Sequence, residues 1–222
     1  MPCGFGTRKG KAAYDAGMAA RGPYAKGVAK RAEILDTALA VIDEHGYTGA
    51  TVKQLADAVG LSQNGLLHYF GSKDTLFLEI VRRHEEDVAE QVDPEHADFA
   101  ANLPERILNA ASDSIAKPGM STLMLNMATA ASEGTHPAHD YMRSRYEVMR
   151  EITTSVLTVL QSRGQFPADG DPAAAAALIA SALDGLQMQW LYDPTIDVEK
   201  HLTYLLTSLG IDATSPGGPP SL

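Results

Sequence analysis

One cysteine, Cys3, and one tryptophan stand among 222 residues, and aromatic residues make up only 6% of the chain. A single thiol cannot build a disulfide framework within the chain, so a small disulfide-stapled secreted fold is excluded and a reducing cytoplasm is the expected setting. Also missing are the alternating valine- and isoleucine-rich runs that strands need. The most apolar stretch, Ala173 to Ala182, is dominated by alanine and closes just before Asp184. It falls well short of the ~20 apolar residues that span a bilayer. The basic N-terminus has no apolar stretch of the length a signal peptide requires. These absences predict a chain without membrane contact.

What is abundant is alanine, which gives up no side-chain entropy in a helix. Hydrophobic residues are 45% and charged residues 21%, the balance of a globular protein. The composition predicts an all-α protein. The net charge of −10 opposes nucleic acid at first sight, but it is unevenly spread. Residues 1–31 hold Arg8, Lys9, Lys11, Arg21, Lys26, Lys30 and Arg31 against Asp15 alone. A basic arm ahead of an acidic body suits a protein that meets DNA with one end.

Residues 1–27 are rich in glycine, alanine and basic residues without sustained periodicity, and read as a flexible basic arm. From Val28 a helical pattern begins, with Ile34, Leu35, Ala38, Leu39 and Ile42 on one face and Gly46 at its end. Thr51 and Gln54 form a capping box, opening a second helix that Gly60 closes. Ser62 caps a short third helix through Phe70, and Ser72 a fourth to about Val92. Further helices are expected near Leu103–Ala116, Met120–Ser132, Pro137–Arg163, Pro172–Tyr192 and Val198–Leu209, with proline or glycine at every junction. The total is about nine helices in two parts: residues 28–75, then 76–212, with a proline- and glycine-rich disordered tail over 213–222.

The segment Thr51–Phe70 joins two short helices through Gly60-Leu61-Ser62, the geometry of a helix-turn-helix, whose second helix lies in the major groove. Gln63 and Asn64 at the start of that helix can each bond two atoms of an adenine edge, and Gly65 lets the backbone come close. His68, Tyr69 and Lys73 suit phosphates, which set register. The helix starts at Thr51, Ser62 and Ser72 can direct free N–H groups to phosphate oxygens. Leu55, Val59, Leu66 and Phe70 should face inward.

The run from Arg31 to Leu76 resembles the N-terminal domain of the TetR family. The resemblance rests on Gly46-Tyr47, Thr51-Val52, Leu55-Ala56, Gly60-Leu61-Ser62, His68-Tyr69-Phe70 and Ser72-Lys73-Asp74. It implies a three-helix DNA-binding domain followed by a larger helical domain that dimerises and holds a small-molecule pocket. Two positions depart from the family's usual pattern. Asn64 and Gly65 stand where glycine and threonine are common, and Leu67 where a phosphate-contacting tyrosine is common. Tyr69 or the basic arm can take over that contact.

Six of the eight methionines lie in the second part. Met120, Met124 and Met127 share a helix face, as do Met142, Tyr146 and Met149, and Met188 lies in a later apolar helix. Methionine is flexible and polarizable, so these seven side chains are candidates to line a pocket for an apolar or amphipathic ligand, though core filling explains any one of them. Ser181 and Gly185, spaced four apart beside Leu178, allow close helix approach. Leu202, Leu205 and Leu209 share a face of the last helix. The resemblance implies that this closing helix pair meets its symmetry mate in a homodimer; burial within one subunit is the alternative. His136 and His139, near Glu133 and Asp140, straddle a helix start and complete no zinc set, so no metal and no cofactor is expected. No nucleophile elbow or phosphate loop is present, and the chain is not expected to be an enzyme.

The expected function is a sequence-specific transcriptional regulator, a repressor released from a near-palindromic double-stranded operator by a small ligand. The alternative is a ligandless DNA-binding protein whose second domain serves dimerisation or protein docking.

Overall fold

A computed structural model describes residues 22–90 and 102–213. Among them are nine helices and no strand: α1 Gly22–Gly49, α2 Val52–Ala58, α3 Gln63–Phe70, α4 Lys73–Glu90, α5 Leu103–Ala116, α6 Pro118–Ala130, α7 His139–Ser162, α8 Pro172–Tyr192 and α9 Val198–Ser208. The protein is all-α, with an N-terminal helix-turn-helix followed by a larger helical part. The arm's residues 1–21, Cys3 among them, and the tail from 214 lie outside the described residues.

The first helix begins at Gly22 rather than Val28, so the end of the expected flexible arm is helical. Pro23 suits a first helical turn, where its missing N–H leaves no bond unmade. The regular backbone of α1 stops at Gly46, whose φ of 71° is open to glycine and costly for other residues. The α5 and α8 boundaries coincide with those read from the sequence, because Pro104 and Pro172 mark their first turns.

Two hydrophobic cores organise these helices. The first joins α1–α4 to α6 and the start of α7, around Ile34, Ile42, Leu55, Leu66, Leu76 and Ile80. The second joins α5, the end of α7, α8 and α9 around Leu157, Ile179, Leu202 and Leu206. Each such side chain contributes about 1.5–3 kcal/mol by leaving water. The first core does not stop at the end of α3, since α4 supplies Leu76, Phe77, Leu78, Ile80 and Val81 to it. Contact between α1 and α6 depends on Gly119, where a Cβ atom would lie 2.4 Å from the carbonyl oxygen of Ile42. Residues Met120, Leu123 and Met127 of α6 thereby enter the first core.

Candidate nucleic-acid interface and effector cavity

The helix-turn-helix is built by caps. The Thr51 hydroxyl accepts from the Gln54 N–H at 3.2 Å, and the Thr51 N–H donates to Gln54 Oε1 at 3.1 Å. At the turn, Gly60 has φ 68° and the Leu61 N–H returns to the Ala56 carbonyl at 2.9 Å. The Ser62 hydroxyl accepts from the Gly65 N–H at 3.0 Å and fixes the first turn of α3. A Cβ on Gly65 would lie 3.1 Å from that hydroxyl oxygen, so glycine here leaves the cap room. Ser72 caps α4 in the same way through the Thr75 N–H at 3.0 Å.

This scaffold turns Leu66 and Phe70 inward and leaves Ser62, Gln63, Asn64 and His68 exposed along α3. Thr51 and Lys73 are exposed at neighbouring helix starts. Tyr69 is half-buried, with its ring against the first core and its carbonyl accepting from Arg31 Nη1 at 2.9 Å. Three capped helix starts and the exposed face of α3 thus fall within residues 51–75, all on elements that pack into the first core. Exposed amides, a cation and free helix N–H groups can bond base edges and phosphate oxygens.

A cavity of about 880 Å³ lies among α4, α5, α6, α7 and α8. Pockets that enclose drug-sized ligands run to about 300–1,000 Å³. Its wall is mostly apolar, with Ile107, Met120, Met124, Met149, Ile152 and Leu183 among the lining residues. Set into that wall is a polar cluster. The Tyr141 hydroxyl donates to Glu85 Oε2, and Arg145 Nε donates to Glu85 Oε1 at 2.5 Å. Beside them the Tyr146 hydroxyl donates to Asp184 Oδ2 at 2.6 Å.

Burial and the Glu85 carboxylate hold the Tyr141 hydroxyl well above the usual tyrosine range. Burial and Asp184 push Tyr146 up to about 12. For Arg145 burial works against the charge, but the charge and hydrogen bond of Glu85 outweigh it and raise its pKa. Both hydroxyls therefore stay protonated, and the guanidinium stays charged, near neutral pH. His84, also on the wall, is lowered by burial and by Lys117.

Comparison with known proteins follows this division of the chain. Residues 34–80 match the model of bacterial regulatory proteins of the tetR family. Residues 117–209 match the C-terminal model of BetI-type transcriptional repressors. The chain belongs to the TetR family. The repressor AcnR of Corynebacterium diphtheriae is 30% identical over 126 residues, which is 56% of this chain and 51% of that one. The chain spans about half the length, or less, of the curated relatives it matches first. These relatives are transcriptional repressors, not enzymes. In fold, a TetR regulator from Haloarcula marismortui has a TM-score of 0.67 at 17% identity, covering 82% of this chain and 97% of that one. AibR, solved with isovaleryl coenzyme A and operator DNA, has a TM-score of 0.57 at 18% identity, covering 81% of this chain and 97% of that one.

Within this TetR-family chain, the pocket candidates divide. Met120, Met124, Met142, Tyr146 and Met149 lie on the cavity wall. Met127 does not: it is buried in the first core, because the α6 face carrying it turns toward the helix-turn-helix. Met188 does not either, and is 45% exposed on the opposite side of α8. The interface candidates divide too. Leu178, Ser181, Gly185, Met188 and Tyr192 form one outward stripe on α8 at helical spacing, with Leu178 52% and Tyr192 87% exposed. Leu202 is fully buried in its own subunit's second core, and Leu209 is half-buried against it. Leu205 is half-buried, and the outward face of α9 centres on Tyr204, which is 76% exposed.

His136 accepts from the Ala138 N–H at 3.2 Å, and a His139 ring nitrogen lies 2.8 Å from the Ala131 carbonyl, so both serve the α6–α7 junction. Glu85, Tyr141, Arg145 and Asp184 escape sequence reasoning. They lie on three helices, and no local spacing announces that they meet. Among the described residues no helix is long and apolar enough to cross a membrane.

Proposed function

We propose that this protein is a dimeric transcriptional repressor that binds a near-palindromic operator and is released from it by a small amphipathic molecule. The observation that carries this reading is the dual role of α4. One face of α4 belongs to the core that supports α3, and Glu85 and Val88 further along it line the cavity. A ligand that fits the cavity better when α4 is displaced shifts the equilibrium away from DNA by its differential affinity. The reading head of residues 28–75 and the regulatory part of residues 76–212 are then coupled through one helix. In this reading Gln63 and Asn64 meet base edges, with Gly65 beside them. Thr51, Ser62, His68, Tyr69 and Lys73 meet the backbone.

The homodimer forms through the outward stripes of α8 and α9, where Leu178, Met188, Tyr192 and Tyr204 expose more apolar surface than a lone protomer needs. The cavity also favours effector control over the ligandless alternative, since a purely dimerising domain has no use for a void of about 880 Å³. AibR, with its coenzyme A thioester and operator, supports the same pairing of ligand and DNA by analogy. The test is selection of bound duplexes from fragmented genomic DNA, followed by anisotropy titration of the selected site with each hit from a thermal-shift screen. The expected result is a site with two half-sites and a hit that weakens binding. No selected sequence would refute the DNA reading, and hits that never alter DNA affinity would refute the release.

A further inference from the structure

The cavity wall and the reading helix are joined by an unbroken series of charged and aromatic contacts. We propose that this series, Tyr141 and Arg145 to Glu85, then Arg82, Glu79 and Arg31, positions α3 and reports to it which groups hold Glu85. The inference rests on the reading above, that α3 meets DNA and the cavity takes the effector.

At the reading end Arg31 of α1 makes three contacts. Its Nη1 donates to the Tyr69 carbonyl in the last turn of α3 at 2.9 Å, and its Cζ lies 4.6 Å from the centre of the Phe70 ring. Its Nη2 lies 2.9 Å from Glu79 Oε2. Carbonyls in a last helical turn have no partner within the helix, so Arg31 ties down the free end of α3. Glu79 is shared, because its Oε1 lies 3.0 Å from Arg82 Nη1. The Arg82 guanidinium in turn lies 4.9 Å from the centre of the Tyr141 ring. The Tyr141 hydroxyl and Arg145 hold the two oxygens of Glu85 at the cavity.

Glu79, Arg82 and Glu85 recur three apart along α4, and the Tyr141 ring of α7 bridges the step between Glu85 and Arg82. Each contact has discrete alternatives, since a carboxylate shared by two arginines follows whichever is drawn off. A ligand head group that bonds Tyr141 or Arg145, or donates to Glu85, moves the Tyr141 ring under Arg82. That changes how Glu79 is shared and frees Arg31 from α3. A purely apolar molecule that only fills the cavity leaves the series intact. The effector is therefore amphipathic, with a polar head seated at Glu85.

A double-mutant cycle on operator affinity tests this in the full-length protein without any ligand, using the duplex from the selection above. Glu85→Gln and Tyr141→Phe act at the cavity end, where neither can touch DNA. Arg31→Gln acts at the reading end. Each single change is expected to weaken operator binding about tenfold, within the range of known couplings. Combining Arg31→Gln with either cavity change should add little, because both break the same series. Independent sites multiply their effects, so about a hundredfold loss in the double variant would overturn the proposal. So would unchanged affinity in both cavity variants. Arg31→Gln should also leave the salt dependence of binding as it was, whereas loss of a direct phosphate contact flattens it. If Arg31→Gln lowers the melting temperature enough to compromise folding, Arg31→Lys serves instead. It keeps the charge beside Glu79 but lacks the fork that also reaches the Tyr69 carbonyl. A wild-type protein that selects no duplex removes the DNA reading itself, whereas multiplicative losses on a bound operator remove only the series.

Discussion

Side chains at the start of α3 carry the specificity proposed for this protein. Gln63 and Asn64 are exposed, and Ser62 fixes the turn that presents them through its bond to the Gly65 N–H. Asn64→Ala should cost about 1–3 kcal/mol of operator binding and relax preference at one base pair. Lys73→Ala should weaken all duplexes alike and flatten the salt dependence. Anisotropy titrations against the operator and a scrambled duplex, at two salt concentrations, separate these outcomes. His84 supplies a pH dependence. Burial and Lys117 lower its pKa from 6.5 in the folded chain, so below that value the unfolded chain binds the proton more readily. Its contribution is fully present above pH 6.5 and is lost as pH falls through the lowered folded value. Denaturant titrations from pH 7 downward should therefore show a steeper loss of stability in the wild type than in His84→Gln. Parallel curves would refute this role.

At the scale of elements, the α1–α6 contact and the α8 stripe make the strongest demands. Gly119 lets α6 approach α1 so closely that an added Cβ would overlap the Ile42 carbonyl. Gly119→Ala gains helix propensity, yet forcing the helices apart should dominate and destabilise the protein by about 1–3 kcal/mol. Thermal melts of the variant check the sign, and an unchanged or higher midpoint would mean that α1 gives way freely. On α8, Leu178 and Tyr192 stand outward beside small residues at Ser181 and Gly185, while Ile179 and Ala180 face the protomer's own interior. Leu178→Glu should place a charge in the dimer seam proposed on this stripe. Light scattering at micromolar concentration should then report monomers for the variant and dimers for the wild type. A monomeric wild type would remove the dimer.

On the scale of the whole molecule, the helix-turn-helix and the cavity are held by two cores that share only α7, while α4 and α6 belong to the first core and also line the cavity. The reading head was legible from its residues because its determinants are local. The capping box of Thr51 and Gln54, the glycine at position 60 with positive φ and the Ser62 cap each act within a few residues. Hydrophobic spacing in the same segment separates Leu66 and Phe70 from Gln63 and Asn64. The boundaries of α5 and α8 were legible for the same reason, since proline in a first turn is a local signal.

The cavity and the interface were only half legible, and Met127, Met188 and Leu202 show why. Helical spacing says which residues share a face, but not which neighbour that face meets. Met127 falls with Met120 on one side of α6 and both enter the first core, yet only Met120 also reaches the cavity wall. Met188 is apolar in an apolar helix, yet it points away from the cavity. Leu202 shares a face with Leu205 and Leu209, yet α5 and α8 cover it within one protomer. The meeting of Glu85 with Tyr141 and Arg145 is likewise a matter of tertiary structure. By itself the sequence determined the helical class, the ends of α5 and α8 and the exposed face of α3, all set by interactions within a turn or two. Only the tertiary structure decided which side chains line the cavity and how its wall reaches Arg31, because those contacts join residues far apart in the chain through helix packing.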